Sequence, residues 1–418
     1  MISVWKPAAL LVSVALIIGG IGAVDGDPHA AQARAAALSA QGSPPTCQPA
    51  NPSITQQPST LGQNAMVQQL LGAFGNGFEQ LRQSTGLASL TVAIVSDQDV
   101  IWARGFGCAD FTQGTQATAD TIYGVGSVTK TFTATMLMQF VDEGKVALSD
   151  PVEKYLPGAQ FKSPSGSMVS PTFLELASHT SGMPRDIADL NNIPTNIAAM
   201  VAQMQATTGV AEPGTTYEYS NFGYMVLGQV LAQVAGVTYE EYVTAHILQP
   251  LGMTSSSFSV PSVPANGYAT PYTSASAADA TTYIDWGFYN PSAGLITTAL
   301  DMAQFMKLQF LNGSVNGVQL LTPAAVAQMQ QPVTTSATGL AGSAIGWELY
   351  VPGSTGLTLV GKDGEINGFA SQMVFVPNSS LGVFLMTNTL NATNEGNIPL
   401  QLLEGVEAAI VQVLQAAQ

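Results

Sequence analysis

Charge is what this chain has least of. Only 9% of its 418 residues are charged, against about 25% in an ordinary soluble protein. Basic residues are scarcest, with 11 Lys and Arg against 27 Asp and Glu. The net charge of −16 argues against nucleic acid or an anionic membrane as a partner, because both are held by neutralising phosphate. Two cysteines and three histidines provide no zinc-ligand spacing, so no metal and no cofactor is expected. Gly105-Phe106-Gly107 lacks the third glycine of a dinucleotide site and leads into no helical pattern. Internal repeats are absent. Cys47 and Cys108 either pair, which in the chain-entropy account stabilises by about 4 kcal/mol, or remain separate thiols, since Cys47 lies in a Pro- and Ser-rich stretch.

Apolar residues make up 46% of the chain, enough for one large core or two joined ones. Residues 1–33 start with a short basic segment, continue as an uncharged apolar run from Pro7 to Val24, and end at Ala31-Gln32-Ala33. This reads as a secretory signal peptide, placing the mature protein in a secreted or periplasmic location without stable membrane insertion. The alternative is a retained anchor, which Gly19, Gly20 and Gly22 make a poor one. Residues 34–62 read as an Ala-, Gln-, Ser- and Pro-rich linker.

Beyond it, helical spacing predicts helices over 64–84, 127–143, 172–178, 221–235, 239–248, 299–311, 323–330 and 398–415. Strand patterns fall at 90–95, 100–105, 345–350, 357–361, 370–376 and 382–387. Residues 270–282 read as a surface loop. The order implies an α/β (α+β) domain over 63–418. Its antiparallel sheet would be built from both ends (63–144 and 337–418), with a helical insertion at 145–336.

Three segments carry chemistry. In Tyr123-Gly124-Val125-Gly126-Ser127-Val128-Thr129-Lys130, the glycines permit close backbone approach. Ser127 and Lys130 are three apart at a helix start and share one face, near N–H groups able to hold an anion. Serine needs a base to become a nucleophile, and a buried lysine beside other cations supplies a neutral amine. In Tyr219-Ser220-Asn221, a phenol near two lysines is expected to ionise more easily than usual and to relay protons. Asn221 provides a donor and an acceptor for a substrate amide. In Gly361-Lys362-Asp363-Gly364-Glu365, a lysine ahead of a strand can lie along the substrate, and the Glu365 N–H can serve as a second oxyanion donor beside that of Ser127. His179 and His246 are expected in packing or at helix ends, and Trp286, Tyr289 and Trp347 as cleft or core residues.

Together these segments resemble the Ser-x-x-Lys, Tyr-x-Asn and Lys-x-Gly set of serine β-lactamases and penicillin-binding proteins, in the branch of class C β-lactamases, DD-peptidases and related esterases. The flanking runs 176–184, 250–253 and 292–299 extend the resemblance from about Gln63 to the C-terminus. It implies an antiparallel sheet flanked by helices, plus an all-helical lobe, with the site between them. It also implies an acyl-enzyme with Ser127 as nucleophile, Lys130 and Tyr219 as acid–base groups, and Asn221, Lys362, Gly364 and Glu365 at the substrate. The substrate would be a β-lactam or D-Ala-D-Ala-type, peptidoglycan-like peptide. The alternatives are a small ester, or a penicillin-binding envelope protein that captures ligand without turnover. Asp363 departs from the pattern: the family's third element usually reads Lys-Thr-Gly, Lys-Ser-Gly or His-x-Gly, with acidic middle residues in some of its hydrolases, usually after histidine. In β-lactamases the hydroxyl there helps bind a substrate carboxylate, and an ionised Asp363 with Glu365 beside it repels one.

Overall fold

The computed structural model describes residue 47 and residues 65–96, 99–259, 267–274, 276, 280–281, 286–310, 313–334, 342–350, 358–377 and 380–390. The expected signal, most of the linker and the expected closing helix at 398–415 lie outside these residues. Helix α1 (Ala65–Ser84) carries a buried stripe of Leu71, Phe74, Phe78 and Leu81, and Gly86 in the left-handed region ends it. The expected hairpin follows as β1 (Ser89–Ser96) and β2 (Asp99–Asp110). Gly105-Phe106-Gly107 lies within β2, with Gly107 at positive φ, and opens no helix. A short β3 (Thr115–Gln116) pairs with the end of β2.

The chain then leaves the sheet. A 3-10 turn (Gly126–Val128) opens helix α2 (Thr129–Asp142). Next come a five-residue helix at Phe173–Ala177, α3 (Ile197–Ala206), α4 (Asn221–Ala235), a helical run from Tyr239 to Leu251, and α5 (Ala299–Phe310). Helix α3 has no counterpart in the sequence reading. It fully buries only Met200 and Met204, with Ile197 and Val201 half-buried beside them, and starts on a side-chain cap from Asn196.

The chain returns through β4 (Gly342–Ser343), β5 (Glu348–Tyr350), β6 (Leu359–Ile366), β7 (Phe369–Val376) and β8 (Leu381–Thr387). The eight strands run β4-β5-β6-β7-β8-β1-β2-β3. The two halves of the chain join where β1 pairs antiparallel with β8, with Val92 opposite Leu385 and Ala93 opposite Phe384. Strand periodicity sends alternate residues to opposite faces. Leu90, Val92, Ile94, Val383 and Leu385 pack on the side of Phe74 and Phe78 in α1. Ala93, Val95, Phe384 and Met386 face the other side, with Phe132 of α2 and Phe305 of α5. The rings of those two phenylalanines stack 3.9 Å apart. Burying each such side chain contributes about 1.5–3 kcal/mol.

Two expectations change, and one left open is settled. Strand β6 does not stop at Gly361 but continues to Ile366, so Lys362 to Glu365 lie within a strand and not in a turn ahead of one. Pairing on both flanks explains this: Gly361 lies opposite Glu348 of β5, and Lys362 opposite Met373 of β7. The turn comes later, at Asn367 and Gly368, both at positive φ. Tyr272, expected in a surface loop, is fully buried, and its hydroxyl accepts the Phe111 N–H at 2.8 Å. Cys47 and Cys108 form a disulfide. Among the described residues no helix is long and apolar enough to cross a membrane.

Candidate active site

The Ser127 turn is seated on strand β6 because two β-carbons are missing. Gly126 has φ +50, and a Cβ there would lie 2.7 Å from the Glu365 nitrogen. A Cβ on Gly364 would lie 2.8 Å from the Ser127 nitrogen and closer still to the Val125 carbonyl oxygen. No real side chain tolerates such contacts, so turn and strand touch through backbone alone. The Ser371 hydroxyl of β7 donates to the Val125 carbonyl at 2.8 Å, and Thr129 donates to Gly126 O at 2.7 Å while accepting from Leu295 N.

On this turn the half-buried Ser127 Oγ meets two groups. Lys130 Nζ lies 3.0 Å away and the Tyr219 phenol donates to it at 2.6 Å. Lys130 is fully buried. Its other partners are both neutral acceptors, Asn221 Oδ1 at 2.7 Å and the Ser292 carbonyl at 2.8 Å. Burial, reinforced by the positive charge of Lys362, drives its pKa well below the ordinary lysine value. A neutral amine has two hydrogens for Asn221 and Ser292, which leaves its lone pair for the serine hydroxyl.

Tyr219 behaves opposite to expectation. Lys362 does pull its pKa down, but burial outweighs that pull and raises it to about 12. The phenol therefore keeps its proton. Three basic side chains surround its ring, with Lys130, Lys362 and Arg185 at 4.9, 5.0 and 5.0 Å from the centroid. His179 stacks on it at 4.3 Å. His179 follows the short helix Phe173–Ala177 in a left-handed conformation, and its Nδ1 accepts the Ser220 N–H at 3.0 Å. Burial, together with Lys130 and Lys362, keeps this imidazole uncharged. His179 is thus a packing residue, but what it packs against is the tyrosine of the site.

Ser220, rather than Asn221, caps helix α4, accepting from Gly223 N. This frees the Asn221 amide to bridge Lys130 and Asp186, whose Oδ1 accepts from Asn221 Nδ2 at 2.9 Å and from the Tyr289 hydroxyl at 2.9 Å. Asp186 escaped the sequence reading because nothing local distinguishes it from other loop acids.

Lys362 is placed differently from its expected position along a substrate. It is 2% exposed, with Nζ 2.6 Å from Glu348 Oε1 and 3.1 Å from Asp363 Oδ1. Burial opposes its charge, but the two carboxylates hold its pKa well above the usual value. Glu348 also accepts from the Tyr350 hydroxyl at 2.7 Å. Despite burial, Lys362 holds the Asp363 carboxyl down to about 2. Glu348 was also missed; the available signal was a single acid inside the apolar 345–350 strand.

These groups border a cavity of about 380 Å³ lined by Ser127, Tyr219 and Asn221, by Arg185, Asp186 and Leu190, by Tyr217, Trp286 and Tyr289, by Ser292 and Ala293, and by Glu348, Asp363 and Glu365. Of the three aromatics expected in cleft or core, Trp286 and Tyr289 line the cavity. Trp347 instead sits in the core against Phe305 and Phe375. Lys362 stands behind the wall, and Gly364 contributes only its closeness to the serine turn.

A sequence profile described as Beta-lactamase matches residues 74–405. Among curated proteins, the chain is similar to Beta-lactamase-like protein 2 of Dictyostelium discoideum (27% identity over 72% of this chain and 56% of that one). It is likewise similar to Putative beta-lactamase-like 1 of Homo sapiens (28% identity over 73% of this chain and 62% of that one). The chain therefore spans less than two thirds of the length of these relatives. Among solved structures, it is similar to the octameric penicillin-binding protein homologue from Pyrococcus abyssi, at TM-score 0.65 and 26% identity over 80% of this chain and 77% of that one. A match over most of the chain, carrying the same sheet-and-helix architecture, assigns this protein to the Beta-lactamase family.

Proposed function

We propose that the protein is an exported serine hydrolase that cleaves an amide or ester through an acyl-enzyme on Ser127. The observation that carries this reading is the pair of contacts at Ser127 Oγ: a buried, deprotonation-prone amine at 3.0 Å and a protonated phenol at 2.6 Å. Lys130 takes the hydroxyl proton as the oxygen attacks the carbonyl carbon. The Ser127 N–H, beside the Glu365 backbone, stabilises the developing oxyanion. Tyr219 protonates the leaving group and recovers its proton from Lys130. Water then cleaves the acyl-enzyme over the same groups in reverse. Asn221 orients Lys130 on one side and contacts the substrate from the cavity wall. The reading of residues 1–33 as an export signal, and hence a secreted or periplasmic location, belongs to this proposal. The Cys47–Cys108 disulfide supports it, because such bonds persist in oxidising compartments.

Among substrates, a β-lactam or D-Ala-D-Ala-type peptide is the reading that the family resemblance suggests. A small ester is the reading favoured by one observation, the engagement of Lys362 by two carboxylates. The test is turnover of nitrocefin, a p-nitrophenyl ester and a D-Ala-D-Ala peptide by the mature protein. Steady release of product, lost in Ser127→Ala, supports the hydrolase. Persistent labelling by fluorescent penicillin with no release would overturn it in favour of a ligand-capturing protein.

A further inference from the structure

Lys362 is the cation that the family pattern would offer to a substrate anion. Here it lies behind the cavity wall, its ammonium divided between Glu348 and Asp363. Glu348 is buried in β5, directly across the ladder from the strand bearing Lys362, and its own position is fixed by the hydroxyl of Tyr350. A carboxylate arriving in the cavity therefore finds this lysine already neutralised. It meets Glu348, Asp363, Glu365 and Asp186 in the cavity lining, where Arg185 is the only basic residue among the described residues. Such an arrangement penalises an anion through unpaired like charges. Acidic side chains alone would mean little, but these share one cavity with the Ser127 hydroxyl. Tyr217, Trp286 and Tyr289 supply aromatic faces of the kind that receive cations.

Building on the serine acyl-transfer reading, we propose that Glu348 is a specificity-determining residue. It holds Lys362 as an internal counter-ion, so the site accepts substrates that are uncharged or bear an ammonium group near the scissile carbonyl and rejects those bearing a free carboxylate there. Glu348 acts on the substrate through Lys362 and through the charge of the wall. Its signature is a change in charge preference, distinct from a general loss of rate.

The experiment uses three p-nitrophenyl esters of matched length: butanoate, hemisuccinate and 4-(trimethylammonio)butanoate. In the wild-type protein, kcat/KM for the cationic ester should exceed that for the anionic one by about tenfold or more, since like charges in a shared site are strongly disfavoured. The gap should narrow with added salt. In Glu348→Gln the anionic-to-neutral ratio should rise by about tenfold as Lys362 becomes available. Asp363→Thr should move the ratio the same way and provides the check if Glu348→Gln fails to fold. An anionic ester handled as well as the others by the wild type, or a ratio unmoved in the folded variants, overturns the proposal. If no ester shows Ser127-dependent turnover, the acyl-transfer reading fails separately. Calorimetric binding of the matched butanamide, succinamate and trimethylammonio-butanamide to Ser127→Ala protein then decides the charge preference. Tighter binding of the succinamate would overturn it, and tighter binding of the cationic amide would uphold it.

Discussion

Two buried lysines flank one tyrosine ring, at 4.9 and 5.0 Å from its centroid, and they are driven in opposite directions. Lys130 faces a hydroxyl, an amide oxygen and a carbonyl, all neutral, so burial decides and its pKa falls. Lys362 faces two carboxylates, so their charge decides and its pKa rises. Burial alone does not make an amine a base. What matters is whether the groups that solvate it in place of water carry a compensating charge. One lysine is thereby prepared to take a proton, and the other to stay a fixed positive charge.

The comparison breaks most sharply with arginine, which cannot lose its proton. Lys130→Arg should lower kcat/KM by about 10⁴-fold, as for loss of a nucleophile's base, whereas Lys362→Arg should stay within about tenfold because its charge is what counts. A result with the two reversed, measured on the ester panel, would exchange their roles.

The same contrast should appear in stability. Glu348→Ala leaves the buried ammonium with Asp363 as its one remaining carboxylate and should cost about 1.5–3 kcal/mol. Lys130→Met deprives only neutral acceptors of a donor and should cost about 1–2 kcal/mol. Urea denaturation of both variants checks this.

Next in size is Tyr219→Phe, which removes the proton donor but leaves the ring between the lysines. A loss of about 10²–10³-fold in kcat is expected, with KM little changed. The pH profile sharpens the same point. The rate should climb with pH as Lys130 loses its proton, at a pH below the ordinary lysine range. With Tyr219 titrating at about 12, there should be no falling limb below about pH 10. A bell centred near neutrality would mean that the phenol acts ionised.

The smallest effect expected is at Asp186→Asn, which loosens the Asn221 amide without touching the nucleophile. About a tenfold fall in kcat should follow, partly restored in Asp186→Glu.

How much of this was readable from the chain depended on distance along it. Ser127 and Lys130 are three residues apart at a helix start, so helical geometry alone predicted their contact. Tyr219 and Asn221 were readable only as part of a family pattern, because nothing in Tyr-Ser-Asn itself specifies a hydroxyl 92 residues away. The position of Lys362 was legible but its surroundings were not. Its partner Glu348 lies across a strand ladder, in a pairing that no local pattern encodes. Tyr219 shows the complementary failure: neighbouring charges can be counted in a sequence, but the loss of water around a phenol cannot. For the fold, the hairpin, α2 and α4 were marked by clear periodicity, while α3 went unread although Ile197, Met200, Val201 and Met204 fall at helical spacing and face the core; the alanines between them blur the stripe.

The backbone contacts of Gly126 with Glu365, and of Gly364 with Val125 and Ser127, also constrain how such a site can diversify. The face toward the reacting carbonyl is main chain meeting main chain, which point substitution cannot retune without forcing turn and strand apart. New preferences must then arise from side chains around that rigid floor, at positions 348, 363 and 365. Libraries restricted to those three codons would explore selectivity while leaving the chemical step in place.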